Sequence, residues 1–302
     1  MTVLITGSAG LVGHAVRRRL ESDDVPVVPV DLSDRSTDGV PQIACDLTDP
    51  ARVEEVFSST RPRTVVHCGG VSGPMVRPDD PMTVVRSNVV GTAALLEAAR
   101  RHGVTRFVYC SSIAAYGSTP TGPVPEETPL HPTDVYGATK AAGEHLVEAC
   151  RHADGLSTAS LRLVAVYGPR RATGCAIRDL LLDAVAGRRT RWPTPADAPL
   201  QYVYVDDAAR AVVAAVRRVD SVGVYNIAGG PPLTAADVVT AVRSVDPRAD
   251  AELDPPDPAA AAGWPGALDT GAARRDLGYQ PEVGIADGIR AYRAHLDAGH
   301  RC

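Results

Sequence analysis

The chain has no CxxC pair and no short cluster of Cys and His. Its six cysteines (Cys45, Cys68, Cys110, Cys150, Cys175 and Cys302) are scattered over 302 residues. A structural metal needs ligands at close spacing, so no metal site is expected. In a chain of this length the thiols read as reduced, those of a cytoplasmic protein. No apolar run approaches the roughly 18 residues of a membrane helix. A strand begins at Thr2, leaving no room for a signal peptide. Basic charge is also short. The net charge is −5 and the longest basic run is Arg17-Arg18-Arg19, a solvated helix face. That excludes nucleic acid and membrane surfaces as partners. Aromatics are few, at 4%, yet 44% of residues are hydrophobic, enough for a sizeable core.

What is present alternates between strand and helix patterns. Thr2 to Thr6 is a short β-branched run of the kind buried in a parallel sheet. It enters Gly7-Ser-Ala-Gly10-Leu-Val-Gly13, followed by helical spacing at Leu11, Val12, Ala15, Val16 and Leu20. A strand, a glycine turn and a helix N-terminus make an anion site, because free N–H groups and the helix dipole face the ligand. The spacing is GxxGxxG, not the GxGxxG of the common dinucleotide fingerprint. A second strand, 25–30, ends at Asp31, about 20 residues past the turn, where an acid accepts hydrogen bonds from adenosine ribose hydroxyls. An acid there repels a 2′-phosphate and favours NAD over NADP. Arg35, nearby, works against that preference.

Further strands are expected at 42–45, 64–67 and 107–110, with helices at 50–59, at 88–102 opening on Asn88, and at the segment carrying Tyr136. Cys68 and Gly69, small residues after a strand, would lie under a cofactor. This order predicts an α/β fold: a Rossmann-type, doubly wound parallel sheet. Ligands of such sheets sit at the carboxyl ends of strands. Gly7, Asp31, Cys68 and Ser112 all fall there.

Tyr136-Gly-Ala-Thr-Lys140 places a phenol and an ammonium one helical turn apart. Phenol is a poor base near neutral pH, and a neighbouring ammonium favours the phenolate. Such a pair can take a proton from an alcohol while a cofactor takes the hydride.

With these residues in hand, the chain resembles the extended short-chain dehydrogenase/reductases, the NAD-dependent epimerase/dehydratase family. The motifs that carry the resemblance run in order from Thr6–Gly13 through Asp31, Asp46-Leu47, Asn88 to Thr92, Ser111 to Gly117 and Tyr136 to Lys140. Leu161-Arg162, Val166 to Pro169, Tyr204 to Asp207, Tyr225-Asn226 and Leu277 to Pro281 complete them. The resemblance implies Ser112, Tyr136 and Lys140 as the catalytic set, with Ser111 the less favoured neighbour of Ser112. It implies Gly7, Gly10, Leu11, Val12, Gly13, Asp31, Asp46, Leu47, Cys68, Gly69, Asn88, Tyr136 and Lys140 around NAD. Asn88 would help fix the catalytic geometry, alongside a role as a helix N-cap. A smaller C-terminal substrate-binding region, 169–200 plus 229–302, would complement an NAD-binding domain of 1–168 plus 201–228. A homodimer would pack the helices that begin near Asn88 and Tyr136.

Two departures bear on substrate. Ala165 stands where nucleotide-sugar members usually carry Asn, and Leu200-Gln201 where they usually carry Arg-Asp. Each lost contact to a substrate diphosphate is worth about 1.5–3 kcal/mol when well made. His67-Cys-Gly-Gly-Val-Ser72 resembles a stretch of uronate dehydrogenases, which points to Ser72 as a substrate contact. Of Arg170, Arg171 and Arg178, Arg178 is the expected clamp for a substrate anion. The leading expectation is therefore an NAD-dependent oxidoreductase acting on a secondary alcohol of a carbohydrate or sugar acid. The alternative is a nucleotide-sugar 4-epimerase with tightly held NAD. A dehydratase fits less, because Ile113-Ala114 replaces the usual acidic pair. A dinucleotide-sensing scaffold is the non-enzymatic alternative.

Overall fold

A computed structural model describes residues 2–36, 38–71, 79–119, 122–257 and 266–298. Seven parallel strands form the central sheet. In chain order these are β1 (Val3–Thr6), β2 (Val27–Asp31), β3 (Ile43–Ala44), β4 (Thr64–His67), β5 (Arg106–Ser112), β6 (Ser157–Leu163) and β11 (Gly223–Ile227). In space they lie in the order β11-β6-β5-β4-β1-β2-β3. The chain builds outward from β1 to β3 and then returns to the other side of β1 with β4. The crevice at that reversal, over the carboxyl ends of β1 and β4, is where such sheets hold ligands.

Every residue of β1 is buried, as a strand covered on both faces requires. Val3 and Ile5 enter one core and Leu4 the other, following the alternation of a strand. The Leu4 core packs Val53 and Phe57 of α2 (Pro50–Thr60) and Leu95 and Ala99 of α4 (Gly91–Arg101). The opposite core packs Val16 and Leu20 of α1 (Leu11–Ser22) and Val212 and Val216 of α7 (Val205–Arg217). It continues without a break into Leu180 and Leu181 of α6 (Ala176–Ala186), Val238 and Val242 of α8 (Ala235–Val245), and Ile289 and Tyr292 of α9 (Ile285–Asp297).

Outside the central sheet, β7 (Ala165–Tyr167) pairs with β10 (Tyr202–Tyr204), β8 (Thr190–Pro195) with β13 (Ala251–Asp254), and β9 (Pro199–Leu200) with β12 (Leu233–Thr234). β10, in the segment 201–228, thus joins β7, not the central sheet.

The helix expected to open at Asn88 starts earlier. Asp80 caps α3 (Pro81–Val85), accepting from the Thr83 N–H, and Pro81 takes the first turn. A wide π turn, Arg86–Val90, then carries the chain straight into α4. Asn88 lies inside this turn and is no N-cap, so its side chain is free to leave the helix. Helix α5 (Val135–Asp154) is capped by Asp134, whose Oδ1 accepts from the Gly137 N–H, and ends at Gly155 in the left-handed region.

Candidate active site

A cavity of about 1020 Å³ lies over the carboxyl ends of β1, β2, β4 and β5. Thirteen of the expected residues line it: Gly7, Gly10, Leu11, Val12, Gly13, Asp31, Asp46, Leu47, Cys68, Gly69, Ser112, Tyr136 and Lys140. Asn88 and Arg178 do not, and Ser72 falls outside the described residues.

At one end the glycine turn presents backbone. A Cβ on Gly13 would sit 2.1 Å from the Gly7 carbonyl oxygen, so only glycine lets α1 rest against the turn. Gly10, at the N-cap of α1, is exposed to the cavity. Beside it, Asp31 Oδ2 accepts from the Ala9 N–H at 2.9 Å and Oδ1 from the Leu32 N–H at 2.8 Å. A carboxylate so held still has lone pairs for ribose hydroxyls. Arg35 turns away and donates to the Gly39 carbonyl at 3.1 Å. A bare helix N-terminus, a cradle that side chains would fill, and an oriented acid fit a dinucleotide.

At the other end stand Ser112, Tyr136 and Lys140. A Cβ on Gly137 would come within 2.3 Å of the Ala114 carbonyl oxygen, so α5 can dock on the turn 113–115 only with glycine there. That docking sets Tyr136 near the end of β5. The Lys140 ammonium is 5.8 Å from the Tyr136 ring centre and 5.0 Å from that of Tyr109, and it donates to the Cys110 carbonyl at 2.8 Å. Burial works against its charge. The Tyr109 and Tyr136 phenols and the Cys110 and Cys68 thiols outweigh that and hold the ammonium above the ordinary lysine range. Lys140 is therefore a fixed positive charge.

The two serines diverge. Ser111 gives its hydroxyl to Glu144, which forms a buried pair with Arg162, Nη2 to Oε2 2.7 Å. Arg162 also stacks 4.4 Å from the Tyr116 ring centre and donates to the Glu126 carbonyl at 2.8 Å. Ser112 Oγ accepts from the Ala114 N–H at 3.2 Å and faces the cavity, its own hydrogen available to a ligand oxygen.

Asn88 acts from behind. Its Oδ1 accepts from the Val71 N–H at 2.8 Å, and its Nδ2 donates to the Val71 carbonyl at 3.1 Å and to Thr139 Oγ1 at 3.0 Å. It ties the segment after β4 to α5, one residue from Lys140. His67, wholly buried, bridges Thr6 Oγ1 at 2.7 Å and Thr92 Oγ1 at 2.9 Å. Burial, helped by the Lys140 charge, pushes its imidazole down to about 3.

Sequence reasoning passed over Thr139, although it lies inside the Tyr136–Lys140 motif. It also missed the Glu144–Arg162 pair, Asp38, and His295 of α9, of which the last two line the cavity. Arg178, the expected anion clamp, does not line the cavity. Arg178 pairs with Asp179 at 3.2 Å on the flank of α6, whose inward face is taken by Ile177 and Leu181. Arg170 and Arg171 line the cavity instead. Arg171 Nη1 donates to the Val166 carbonyl at 2.9 Å, and Arg170 lies 4.0 Å from Asp38.

The profile of the NAD dependent epimerase/dehydratase family matches residues 3–228. The chain is 30% identical over 304 aligned positions to UDP-glucose 4-epimerase of Mycolicibacterium smegmatis, covering 96% of each. UDP-glucose 4-epimerase of Thermus thermophilus, solved as a complex with NAD, is 30% identical with a TM-score of 0.86, covering 98% of this chain and 99% of that one. UDP-glucose 4-epimerase of Thermotoga maritima, solved with UDP-glucose, is 25% identical with a TM-score of 0.90, covering 100% of both. The chain belongs to the NAD-dependent epimerase/dehydratase family and is an enzyme with its Rossmann-type fold.

Proposed function

We propose that this enzyme transfers hydride at a secondary alcohol of a carbohydrate, with NAD as partner and Tyr136 as acid/base. The observation that carries the reading is one cavity with the glycine turn and Asp31 at one end and Ser112, Tyr136 and Lys140 at the other. NAD, when bound, supplies the hydride acceptor at its nicotinamide. The chain supplies the rest. The exposed N–H groups at the start of α1 hold the diphosphate, and Asp31 holds the adenosine ribose. Asp46 and Leu47 flank the adenine, Cys68 and Gly69 floor the cleft, and Asn88 fixes its rear wall. Ser112 donates to the reacting oxygen. Tyr136, entering as its phenolate, takes the hydroxyl proton and becomes the neutral phenol, with the Lys140 ammonium 5.8 Å from its ring centre. Asp31 in the cavity and Arg35 turned to Gly39 favour NAD over NADP.

A second reading, a nucleotide-sugar 4-epimerase, draws on the full-length similarity to UDP-glucose 4-epimerases. Ala165 gives the cavity wall no polar group. Gln201 is spent on the fold, donating to the Gly230 carbonyl at 3.0 Å and accepting from the Leu268 N–H at 3.0 Å. Both favour a substrate gripped differently from a standard diphosphate-sugar, with Arg170 replacing Arg178 as its anion contact and Ser72 a further contact. The test is a screen by NADH absorbance against uronates and other sugar acids, in parallel with epimer analysis of UDP- and dTDP-sugars. NADH formation supports the first reading, and epimer exchange without net NADH the second. A protein that binds NAD yet turns over neither class contradicts both.

The division into 1–168 plus 201–228 and 169–200 plus 229–302 is proposed too. It draws support from β11 lying in the central sheet and, among the described residues, from β8 pairing with β13 and β9 with β12. A cytoplasmic homodimer completes the proposal. Free cysteines and the exposed Met82, Val90 and Val135 along α3, the π turn and α5 support it. No described helix is long and apolar enough to cross a membrane.

A further inference from the structure

The floor of the cavity holds a feature that the hydride-transfer chemistry does not use. Strands β4 and β5 run in parallel register, with His67 beside Tyr109. The next residue on each is a cysteine, and the Cys68 and Cys110 sulfurs lie 3.3 Å apart. Both residues line the cavity, through which a small reagent would approach them, with Cys68 half-buried and Cys110 buried. Neither is bonded to another sulfur. We propose that Cys68 and Cys110 form an oxidisable dithiol that a peroxide converts to a disulfide, switching off cofactor binding.

The two sulfurs have different parts. The Cys68 hydrogen bond, against the effect of burial and with the nearby Lys140 charge, holds the Cys110 thiol below the ordinary range and raises that of Cys68. Cys45 and Cys175, away from this pair, are both pushed up by burial. The chemistry holds equally with the two exchanged, because either sulfur can donate the hydrogen bond; in one order the attacking sulfur is that of Cys110. Its thiolate takes one oxygen of the peroxide, the O–O bond breaks, and Cys110 becomes a sulfenic acid while the other oxygen leaves as alkoxide or hydroxide and is protonated to an alcohol or water. The Cys68 sulfur then attacks the Cys110 sulfur. The sulfenic hydroxyl leaves with the Cys68 proton as a second water, and the disulfide forms. The thiols lose two electrons in all, and the peroxide gains them.

Closing the contact to the roughly 2.05 Å of a disulfide draws the two strand ends together. The Cys110 carbonyl moves with them, and it accepts the Lys140 hydrogen bond at 2.8 Å. The effect on the cofactor rests on the reading of Lys140 and Cys68 given under Proposed function, whereas formation of the disulfide does not.

The experiment treats the full-length protein with a small molar excess of hydrogen peroxide. Thiols are then counted, disulfide-linked peptides are mapped by mass spectrometry, and NAD binding is titrated. The expected result is loss of two thiols, a Cys68–Cys110 linked peptide, NAD affinity weakened at least about tenfold, and full recovery with dithiothreitol. Cys110→Ser should form no such link and keep its own NAD affinity after peroxide. Cys175→Ser should behave as the parent. Stepwise oxidation of either cysteine without the link would overturn the site. A clean link with unchanged NAD affinity would overturn the switch while leaving the site. Failure of the untreated protein to bind NAD, with the link still forming, would fall on the proposed function and on the switch, and leave the dithiol standing.

Discussion

At and behind the floor of the cavity, Lys140, His67, Asn88 and Thr139 are all nearly out of contact with solvent. Each bonds across the chain: His67 to Thr6 and Thr92, Asn88 to Val71 and Thr139, Lys140 to Cys110. At the outer wall the pattern differs. Arg171 bonds to carbonyls close by in the chain, at Val166 of β7 and at Thr173, and Arg170 meets Asp38 across the chain at the limit of an ion pair. Ala165 and Leu32 face the cavity with no polar group and are exposed. A floor so cross-linked holds its own geometry, since moving one member leaves another buried group unsatisfied. A wall held by local contacts can change residue by residue, and substrate choice can change with it.

The sharpest way to break this contrast is Tyr136→Phe. Turnover should fall by about 10³–10⁴, at the upper end of general acid–base contributions, while NAD affinity stays within a few-fold. Stopped-flow turnover and equilibrium titration read the two separately. Equal loss of both would mean that Tyr136 holds the site together and performs no proton transfer.

The paired serines come next. Ser112→Ala should cost about 10² in kcat through loss of a donor to the reacting oxygen, with little change in stability. Ser111→Ala should do the reverse. It removes a donor from the buried Glu144–Arg162 pair and should cost about 1–3 kcal/mol in denaturant unfolding. A kcat loss larger for Ser111→Ala than for Ser112→Ala would exchange their roles.

The floor should also report itself through pH. His67 is neutral in the fold, its imidazole held down to about 3, against 6.5 when unfolded. Between those values the unfolded chain binds the extra proton. This contribution is therefore complete above about pH 6.5 and shrinks as pH falls toward 3. At pH 4.5 the loss is about 3 kcal/mol. Urea unfolding from pH 7 to 4.5 should show the slope, and His67→Gln should flatten it. An unchanged slope in that variant would place the acid sensitivity elsewhere.

The smallest effect belongs to the wall. Arg170→Ala should raise KM for an anionic sugar about tenfold and leave kcat nearly unchanged, the signature of uniform binding. A fall in kcat with constant KM would move Arg170 from the wall to the reacting centre.

The same contrast explains what could be read in advance. The Rossmann order was legible because buried parallel strands are short β-branched runs and the glycine turn has a fixed mechanical reason. Most of the cavity end carrying Gly7, Gly13 and Asp31 followed from spacing alone. The helix start at Asn88 was misplaced because Asp80-Pro81 lies upstream and a π turn leaves no periodic signature. The Glu144–Arg162 pair was invisible because it joins a helix to a strand through space. Arg178 stands out in the sequence by its helix pattern, whereas Arg170, which lines the cavity, sits in a loop at a positive φ of 71° that no sequence rule predicts. His295 comes from the last helix, past the final motif at Leu277 to Pro281.

The central claim is that the floor and the glycine turn together hold NAD for hydride transfer. The most direct measurement denatures the protein as purified, assays the supernatant for NAD(H), and titrates any empty protein with NAD and NADP. The account predicts either stoichiometric NAD(H) released, as in a closed oxidation–reduction cycle, or an empty site that binds added NAD at micromolar levels and NADP more weakly. Binding of neither dinucleotide would contradict it.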